Sequence, residues 1–372
     1  VRQRLVARQQ VAQVRRRLAR QNALQESHAV LLDRRDDVVQ GGVGAEPFED
    51  AAHFFLCVEG AGTILALCGD HPRGLAPRVD GVDVGAAFHE EWDKDRAAED
   101  GFKPMSIAEA AGAGDCLLVL TTDESQPVIW DEQIAPGVEA GNALVWASGY
   151  NVGYDLITPS SDVDVLMVAP RMTGHMVRNL FEAGSGALAQ FAVHQDATGN
   201  ARDLTLALCK GVGLTRGGVF ESSLREEAEL DLFAEQVIWS GFTRWILTCY
   251  ELGVEVGFSP ELMVMELYAS GEMAEIVTAM TRNGFFKQMT HHSTTSQYGT
   301  LSRGPELISD EMRAKGKELF LRDIRGGAFV KEWSNEQADG AARLAELTEA
   351  ALSHPMSQAE AGVIASVQAT KG

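Results

Sequence analysis

The sequence predicts an α/β domain followed by an all-helical domain. Between residues 100 and 221, short apolar runs alternate with helical patterns, which is typical of a parallel sheet with helices on both faces. Beyond residue 222 the strand patterns stop, and long stretches of helical periodicity take their place. The chain has 372 residues, which is too long for one ordinary core and favours two domains.

Each element of the α/β part is an apolar or amphipathic run bounded by turn residues. One strand is expected to stop at Pro170, because proline cannot donate a hydrogen bond to a sheet. The predicted elements are, in order, a helix at 107–111, a strand at 115–121, a helix at 128–134, strands at 142–148 and 163–169, a strand within 185–193, a helix at 201–212 and a strand at 215–221. Helical patterns then cover 226–255, 260–282, 305–325 and 337–352.

The first 83 residues differ in composition from the rest of the chain. Eleven arginines precede the first lysine, Lys94, and the stretch that follows the Arg-rich start is rich in Gly and Ala. This change is consistent with a tail, a divergent half of a domain or a mistranslated segment. We therefore expect four parts: a divergent segment at 1–83, the α/β domain at 84–222, the helical domain at 223–355 and a tail at 356–372.

Charge and composition argue against several classes of protein. The formal net charge of −21 argues against a nucleic-acid-binding surface, whose phosphate contacts need clustered Lys and Arg. The sequence has no run of about eighteen apolar residues, so we expect no membrane span. The five cysteines are widely spaced and never form a C-x-x-C pair, which fits the reduced thiols of a cytoplasmic protein. We expect no signal peptide, since no apolar region follows the Arg-rich start.

The run at 221–236 carries two carboxylates that a helix would place on one face, Asp231 and Glu235. Hard oxygen ligands at this spacing suit Mg²⁺ or Mn²⁺. A second acidic pair, Glu266 and Glu272, lies in a later helical pattern, and the two pairs would form a divalent-metal site if their helices converge. The alternative is a solvated acidic face. The apolar neighbours favour the metal site, because a carboxylate in a buried helix needs a partner or an ion.

Three polar segments that follow predicted strands are candidates for lining a ligand site. In an open α/β sheet, ligands bind beyond the carboxyl ends of the strands, where 121–126, 148–152 and 169–175 are expected to lie. The same residue types also form ordinary turns, so both interpretations stay open. The nearest match to a dinucleotide-binding fingerprint, at 54–65, has two glycines but Leu65 in the third glycine position.

Several motifs occur in an order and spacing that match one family of enzymes. They are 99–102 (EDGF), 106–111 (SIAEAA), 163–170 (VDVLMVAP), 193–200 (VHQDATGN), 226–236 (EEAELDLFAEQ), 259–262 (SPEL), 296–304 (SQYGTLSRG) and 332–337 (EWSNEQ). On these residues the chain resembles the ketol-acid reductoisomerases (acetohydroxy-acid isomeroreductases), particularly their short class. The resemblance runs from about residue 97 to 355.

The resemblance implies a Rossmann-type N-terminal domain followed by an all-α knotted C-terminal domain. In this family the helical domain interlocks between two subunits, so a homodimer or a higher oligomer is expected. The implied activity belongs to branched-chain amino-acid biosynthesis, and its substrate is a small 2-acetohydroxy acid. Two Mg²⁺ ions would support an alkyl migration, and NADPH, with NADH as the alternative, would reduce the 2-keto intermediate to a 2,3-dihydroxy acid.

The metal ligands follow from the same resemblance. Asp231 and Glu235 match the first metal-binding pair, and Glu266 matches the first acid of the second pair. The fourth position is open between two residues. Counting forward from the preceding motif places Ser270 there, whereas counting back from the downstream residues places Glu272 there. We prefer Glu272, because the role requires a carboxylate.

The remaining site residues also come from the resemblance. Asp123, Glu124, Ser125 and Gln126 match a cofactor loop, Gly174 matches a cofactor-contacting glycine, and Ser293 matches a serine that contacts the substrate carboxylate. Arg171, to which we assign a catalytic role beside the metal pair, replaces a family lysine and keeps the charge but not a compact, titratable ammonium. Ser148 stands where the family has an active-site histidine.

These features support three hypotheses. The first is a ketol-acid reductoisomerase. The second is a catalytically impaired homologue that keeps the helical dimer and the metal-binding face, because the family histidine and the glycine fingerprint lack clear counterparts. The third is a reductase of another small keto acid that acts without alkyl migration.

Overall fold

The computed structural model describes residues 63–68, 78–79, 82–88 and 104–369, with side chains for residues 105–366. The chain divides between Ala228 and Glu229 into two compact units. Most of the segment 1–83, including the fingerprint glycines, lies outside the described residues. Among the helices in the described part of the chain, none has the length and apolarity that a membrane span requires.

The described residues of the first unit contain one sheet. Its strands are β1 (Thr63–Cys68), β2 (Arg78–Val79), β3 (Val82–Phe88), β4 (Pro104–Met105), β5 (Cys116–Leu120), β6 (Ala143–Trp146), β7 (Asp164–Pro170), β8 (Ala189–Gln195) and β9 (Val219–Glu221). They lie in the order β2-β3-β1-β5-β6-β7-β8-β9, with β4 beside β3. The prediction of an α/β sheet is confirmed, and the strands predicted at 115–121, 142–148 and 163–169 are β5, β6 and β7.

The predicted parallel strands are present, and antiparallel neighbours join them, so the sheet is mixed. β5, β6 and β7 are parallel, but β7 pairs with β8 antiparallel, and β1 runs antiparallel to both β3 and β5. An apolar run predicts burial on both faces and carries no information about strand direction, so the sequence could not show this. Pro170 is the last residue of β7, where it pairs with Ala189.

The parallel strands send their side chains alternately into two apolar layers. Leu118 and Val145 pack on one face of the sheet, and Leu117 and Trp146 pack on the other. This alternation follows from the two-residue period of a strand, and it lets helices cover both faces. The helices of this unit are α1 (Ile107–Ala113), α2 (Gln126–Ile129) with a π-helical continuation (Trp130–Ile134), α3 (Tyr150–Gly153), α4 (Gly174–Glu182) and α5 (Ala201–Gly211).

Two of these helices have signals in the local sequence. α1 begins at a capping box, in which the Ser106 hydroxyl accepts a hydrogen bond from Glu109 N–H and the Glu109 carboxylate accepts one from Ser106 N–H. α4 was not predicted. Its apolar stripe of Val177, Leu180 and Phe181 packs against the core, so the helical spacing was present in the sequence and was overlooked.

The second unit is helical in its described residues, as predicted. Its elements are α6 (Leu224–Phe233), which begins in the first unit, a π-helical segment (Ala234–Trp239), α7 (Ser240–Glu255), α8 (Pro260–Val264), a π-helical segment (Met265–Ala269), α9 (Glu272–Asn283), α10 (Thr294–Leu307), α11 (Asp310–Leu319), a π-helical segment (Phe320–Arg325), α12 (Ala328–Ala338), α13 (Ala342–Leu352) and α14 (Pro355–Ala369). The knotted topology implied by the resemblance stays a prediction.

Most of the segment 356–372, which the sequence predicts as a tail, is helical in α14. Its Ala359 is buried in a cluster with Tyr250 and Val264. The helix was missed because small side chains dominate it, which leaves no strong apolar periodicity in the sequence. The end of the described chain is therefore part of the packed helical unit.

Candidate functional site

The carboxyl ends of the parallel strands bring two of the predicted polar segments together. Asn151 Nδ2 donates a hydrogen bond to the backbone carbonyl of Asp123 at 2.9 Å. The Ser148 hydroxyl donates to Asp123 Oδ2 at 3.4 Å, and Tyr150 N–H donates to the Ser148 hydroxyl at 3.2 Å. The loop after β5 and the turn after β6 thus form one polar edge, as parallel neighbours require.

The buried side chain of Gln126, predicted as a cofactor residue, hydrogen-bonds to the residues that form this polar edge. Nε2 of this side chain donates to the carbonyl of Thr121 at 2.7 Å. Its Oε1 accepts hydrogen bonds from Trp146 Nε1 at 3.1 Å and from Asn151 Nδ2 at 3.0 Å. The side chain therefore stabilises the loop. The exposed Glu124 and the half-buried Asp123 and Ser125 are the members of the predicted set that face outward.

The turn after β6 lies directly against the start of α6. A Cβ on Gly149 would lie 1.9 Å from the carbonyl oxygen of Leu224, so only glycine fits at this position. Gly149 N–H donates to Glu227 Oε2 at 2.7 Å, which joins the turn to the first turns of α6. The helix that carries the predicted metal ligands therefore begins at a fixed point of the polar edge.

Glu227 also pairs with Arg171, the predicted catalytic residue. Arg171 Nη1 lies 2.8 Å from Glu227 Oε1, and the Glu227 side chain is only 2% exposed. A carboxylate buried to this degree needs charged and hydrogen-bonded partners, and here the arginine and Gly149 N–H supply them. The pair holds the Arg171 guanidinium at the end of β7, so this charge is positioned before any ligand arrives.

Sequence reasoning missed Glu227. One signal for it was present: Glu227, Asp231 and Glu235 are spaced four residues apart, which on a helix makes one acidic stripe. The solvent exposure of the side chains increases along this stripe: Glu227 is buried, Asp231 is half-buried and Glu235 is exposed. The adjacent acid Glu226 is exposed, whereas Glu229, on another side of the helix, is also buried.

The predicted second acidic pair lies elsewhere in the helical unit. Glu266 is in the π-helical segment Met265–Ala269, and Glu272 is the first residue of α9. Ser270, the alternative fourth ligand, accepts a hydrogen bond from Glu272 N–H at 3.3 Å through its hydroxyl. Among the described residues, no group of three or more His, Cys, Asp or Glu side chains could hold a metal ion. Within one chain, the structure does not bring the two pairs together.

Two predicted metal ligands share a local feature that the sequence did not show. Glu235 and Glu266 each lie in a π-helical segment, where the backbone hydrogen bonds reach one residue further than in an α-helix. Such turns are uncommon and occur frequently at functional sites. Carboxylates are the hard oxygen donors that Mg²⁺ prefers, so the chemistry of the first pair is compatible with this ion.

The predicted substrate and cofactor positions have simple local roles. Ser293 caps α10, since its hydroxyl accepts a hydrogen bond from Ser296 N–H at 3.2 Å and keeps its own proton for donation. Gly174 is the first residue of α4, directly after Thr173. The weak fingerprint match at 54–65 lies mostly outside the described residues, and its last residues belong to β1, which begins at Thr63.

Two family models match the chain. One is described as "Acetohydroxy acid isomeroreductase, NADPH-binding domain" and matches residues 69–218; the other is described as "Ketol-acid reductoisomerase, C-terminal domain" and matches residues 224–368. Among solved structures, the chain is similar to an NADH-preferring ketol-acid reductoisomerase from an uncultured archean. The identity is 33%, the TM-score is 0.70, and the match covers 74% of this chain and 83% of that chain.

A second solved structure is similar only at a distance. It is a semialdehyde dehydrogenase NAD-binding protein from Cupriavidus necator, with 15% identity, a TM-score of 0.49, and coverage of 65% of this chain and 87% of that chain. Similarity at this level carries no argument about function.

Proposed function

The chain belongs to the ketol-acid reductoisomerase family, and on that premise we propose that it converts a 2-acetohydroxy acid to a 2,3-dihydroxy acid in branched-chain amino-acid biosynthesis. The conversion combines a Mg²⁺-dependent alkyl migration with reduction by a nicotinamide cofactor. Family membership supports the activity in general, a small-molecule substrate and a nicotinamide cofactor. A cytoplasmic location is part of the proposal.

One observation supports the proposal most directly. The helix with the Asp231 and Glu235 pair is joined, through buried Glu227, to Gly149 and Arg171 at the carboxyl ends of β6 and β7. Ligands of open α/β sheets bind at this edge, so within the first unit the charge of Arg171 and the start of the helix that continues to Asp231 and Glu235 lie at a candidate ligand site. An isolated acidic helix face would need no such anchor.

In the proposed reaction, each described residue has a limited role. Asp231 and Glu235 would hold Mg²⁺, which when bound polarises the substrate's hydroxyl and carbonyl oxygens. Arg171 presents a fixed positive charge that stabilises negative charge on a nearby substrate oxygen, and Glu227 keeps that guanidinium in position. The Ser148 hydroxyl, held by Asp123, supplies a neutral hydrogen-bond donor where the family has a histidine.

We propose that the metal site is completed in a homodimer or a higher oligomer. The second acidic pair, Glu266 and Glu272, would then come from a second copy of the chain, since no third ligand joins the first pair among the described residues. Trp239 and Phe242, which stack edge to face, are 59% and 42% exposed in the single chain. Large apolar side chains exposed together indicate an interface.

The choice between NADPH and NADH is a separate part of the proposal. The matching N-terminal family model is described as NADPH-binding, whereas the similar solved structure is described as NADH-preferring. We propose NADPH. The ratio of kcat/KM for the two cofactors tests this, and a ratio that favours NADH would overturn it.

The substitution Asp231→Asn tests the metal role. It should abolish Mg²⁺-dependent consumption of NADPH with acetolactate while the circular dichroism spectrum stays unchanged, because an amide is a poor ligand for Mg²⁺. Asp339→Asn, at the exposed end of α12, is the matched control and should keep full turnover. Unchanged turnover in Asp231→Asn would overturn the metal assignment.

The product distinguishes the alternative functions. Reduction of a 2-keto acid without rearrangement of acetolactate would favour the keto-acid reductase. Folded protein that binds neither cofactor would favour the catalytically impaired homologue.

A further inference from the structure

Within the second unit, three contacts join two helical stretches. The first is the run 224–239 that carries Asp231 and Glu235, here termed the metal-binding helix for its proposed role, and the second is the run 310–325. Glu229 Oε2 accepts a hydrogen bond from Arg325 Nε at 2.9 Å. The rings of Phe233 and Phe320 meet edge to face with centroids 5.4 Å apart. Gly316 faces Val237, whose Cγ1 would lie 3.6 Å from a Cβ at that glycine. The contacts run in opposite directions along the two stretches, so these pack as an antiparallel pair.

The spacing of these contacts explains the π-helical segment Phe320–Arg325. On the metal-binding helix the contact residues are four apart each time, whereas on the second stretch one step is four residues and the other, Phe320 to Arg325, is five. In a regular α-helix with about 3.6 residues per turn, a fifth residue lies well off the contact face. A π-helical turn takes up one extra residue, and this brings Arg325 back to Glu229.

This line of contacts sets the rotation of the metal-binding helix about its axis. Asp231 is two residues beyond Glu229, which corresponds to about 200° of rotation on an α-helix. The face that carries Glu229 and the face that carries Asp231 therefore point in nearly opposite directions. Rotation of the helix about its own axis would displace the Asp231 carboxylate. Arg325 strengthens the anchor further by lying over the Phe320 ring, 4.7 Å from its centroid.

Glu229 makes the arginine necessary. Its side chain is 12% exposed, whereas that of Arg325 is 58% exposed, so the ion pair lies at the edge of the packed layer with its carboxylate on the inner side. A carboxylate at this depth is unfavourable without a cation. Loss of the arginine would remove this cation from beside Glu229 and weaken the contact that holds the helix.

We propose that Arg325 is a positioning residue for metal binding: by holding Glu229, it sets the direction of the Asp231 and Glu235 carboxylates. This inference rests on the proposed metal role of that pair. Arg325 touches neither the metal nor the substrate in this scheme. Its effect should therefore appear in metal affinity, with little change in turnover once metal is saturating.

The test is direct Mn²⁺ binding to the full-length protein, followed by the loss of the free-ion EPR signal. Arg325→Met should weaken Mn²⁺ binding roughly tenfold, in the range observed when groups that orient metal ligands are removed. The Mg²⁺ concentration for half-maximal turnover should rise by a similar factor, while kcat at saturating Mg²⁺ stays near the wild-type value. Arg325→Lys, which keeps the charge, should restore most of the affinity.

Arg322→Met is the matched control, because Arg322 lies in the same π-helical segment but pairs with Glu318 and Asp323 at the surface. It should leave Mn²⁺ affinity unchanged. If Arg325→Met does not fold, Glu229→Gln gives the same test from the other partner. Wild-type Mn²⁺ affinity in the folded variant, or an equal loss in the Arg322 control, would overturn the inference.

Asp231→Asn separates this inference from the proposed function. If Asp231→Asn abolishes Mn²⁺ binding and Arg325→Met leaves it unchanged, the metal site stands and the positioning role is refuted. If Asp231→Asn itself binds Mn²⁺ normally, the metal assignment fails and the positioning role fails with it.

Discussion

Gly149→Ala is the sharpest test of the junction between the polar edge and α6. The new Cβ would lie 1.9 Å from the carbonyl oxygen of Leu224 and 2.6 Å from its carbonyl carbon. Both atoms are backbone, so no side-chain rotation can relieve the clash, and the turn must move away from the helix. That movement also lengthens the 2.7 Å hydrogen bond from Gly149 N–H to Glu227 Oε2.

Two costs determine the magnitude. Overpacking of a tight contact costs about 1–3 kcal/mol. Loss of a hydrogen bond to a charged group costs about 1.5–3 kcal/mol. We therefore expect the free energy of unfolding of the first unit to fall by about 2.5–6 kcal/mol, a large part of the roughly 5–15 kcal/mol that stabilises a typical domain. Turnover should fall as well, because Glu227 and its partner Arg171 move with the turn.

The measurement is urea unfolding followed by tryptophan fluorescence, since Trp130 and Trp146 are buried in the first unit. Gly112→Ala is the matched control: Gly112 lies in α1, and a Cβ there meets nothing within 4 Å. It should stabilise the unit by up to about 1 kcal/mol, because alanine is the better helix former. A Gly149→Ala variant within about 0.5 kcal/mol of wild type, inside the usual range of surface substitutions, would refute the reasoning.

Four further predictions concern activity, pH and assembly. Ser148→His should raise turnover if the missing imidazole limits the reaction, and a lower kcat would contradict this. Glu227→Gln should cost about 1.5–3 kcal/mol in urea unfolding and lower kcat, since Arg171 loses its charged partner; wild-type values for both would argue against the anchor. Burial raises the pKa of the Cys209 thiol from 9.0 to about 12, so the folded state keeps a proton that the unfolded chain loses above pH 9. The contribution of Cys209 to stability should therefore be complete below pH 9 and fall toward pH 12 by up to about 1.4 kcal/mol per pH unit, and Cys209→Ala should make the measured fall shallower. Sedimentation at micromolar concentration should show a dimer or a larger species, and a monomer would contradict the proposed assembly.

Local patterns were sufficient for several parts of the molecule. The apolar runs that became β5, β6 and β7 were recognisable because strands buried on both faces must be apolar throughout. The helical character of the second unit followed from its periodicity, and the spacing of Asp231 and Glu235 was visible without a structure. The order of the motifs was enough to indicate the family. Each of these properties depends on residues that are neighbours in the chain.

Tertiary structure decided what depends on distant residues. Glu227 and Glu226 are adjacent acids in one run, and only the fold shows that Glu227 is buried, because its partners come from 78 and 56 residues earlier in the chain. The direction of β1, the π-helical turns at Glu235 and Glu266 and the packing of α14 likewise follow from what each segment lies against. Sequence patterns record how much of a segment is buried. Sequence patterns do not show which distant residues pack against a segment. Those distant contacts determine the direction of a strand, the rotation of a helix and the partner of a buried charge.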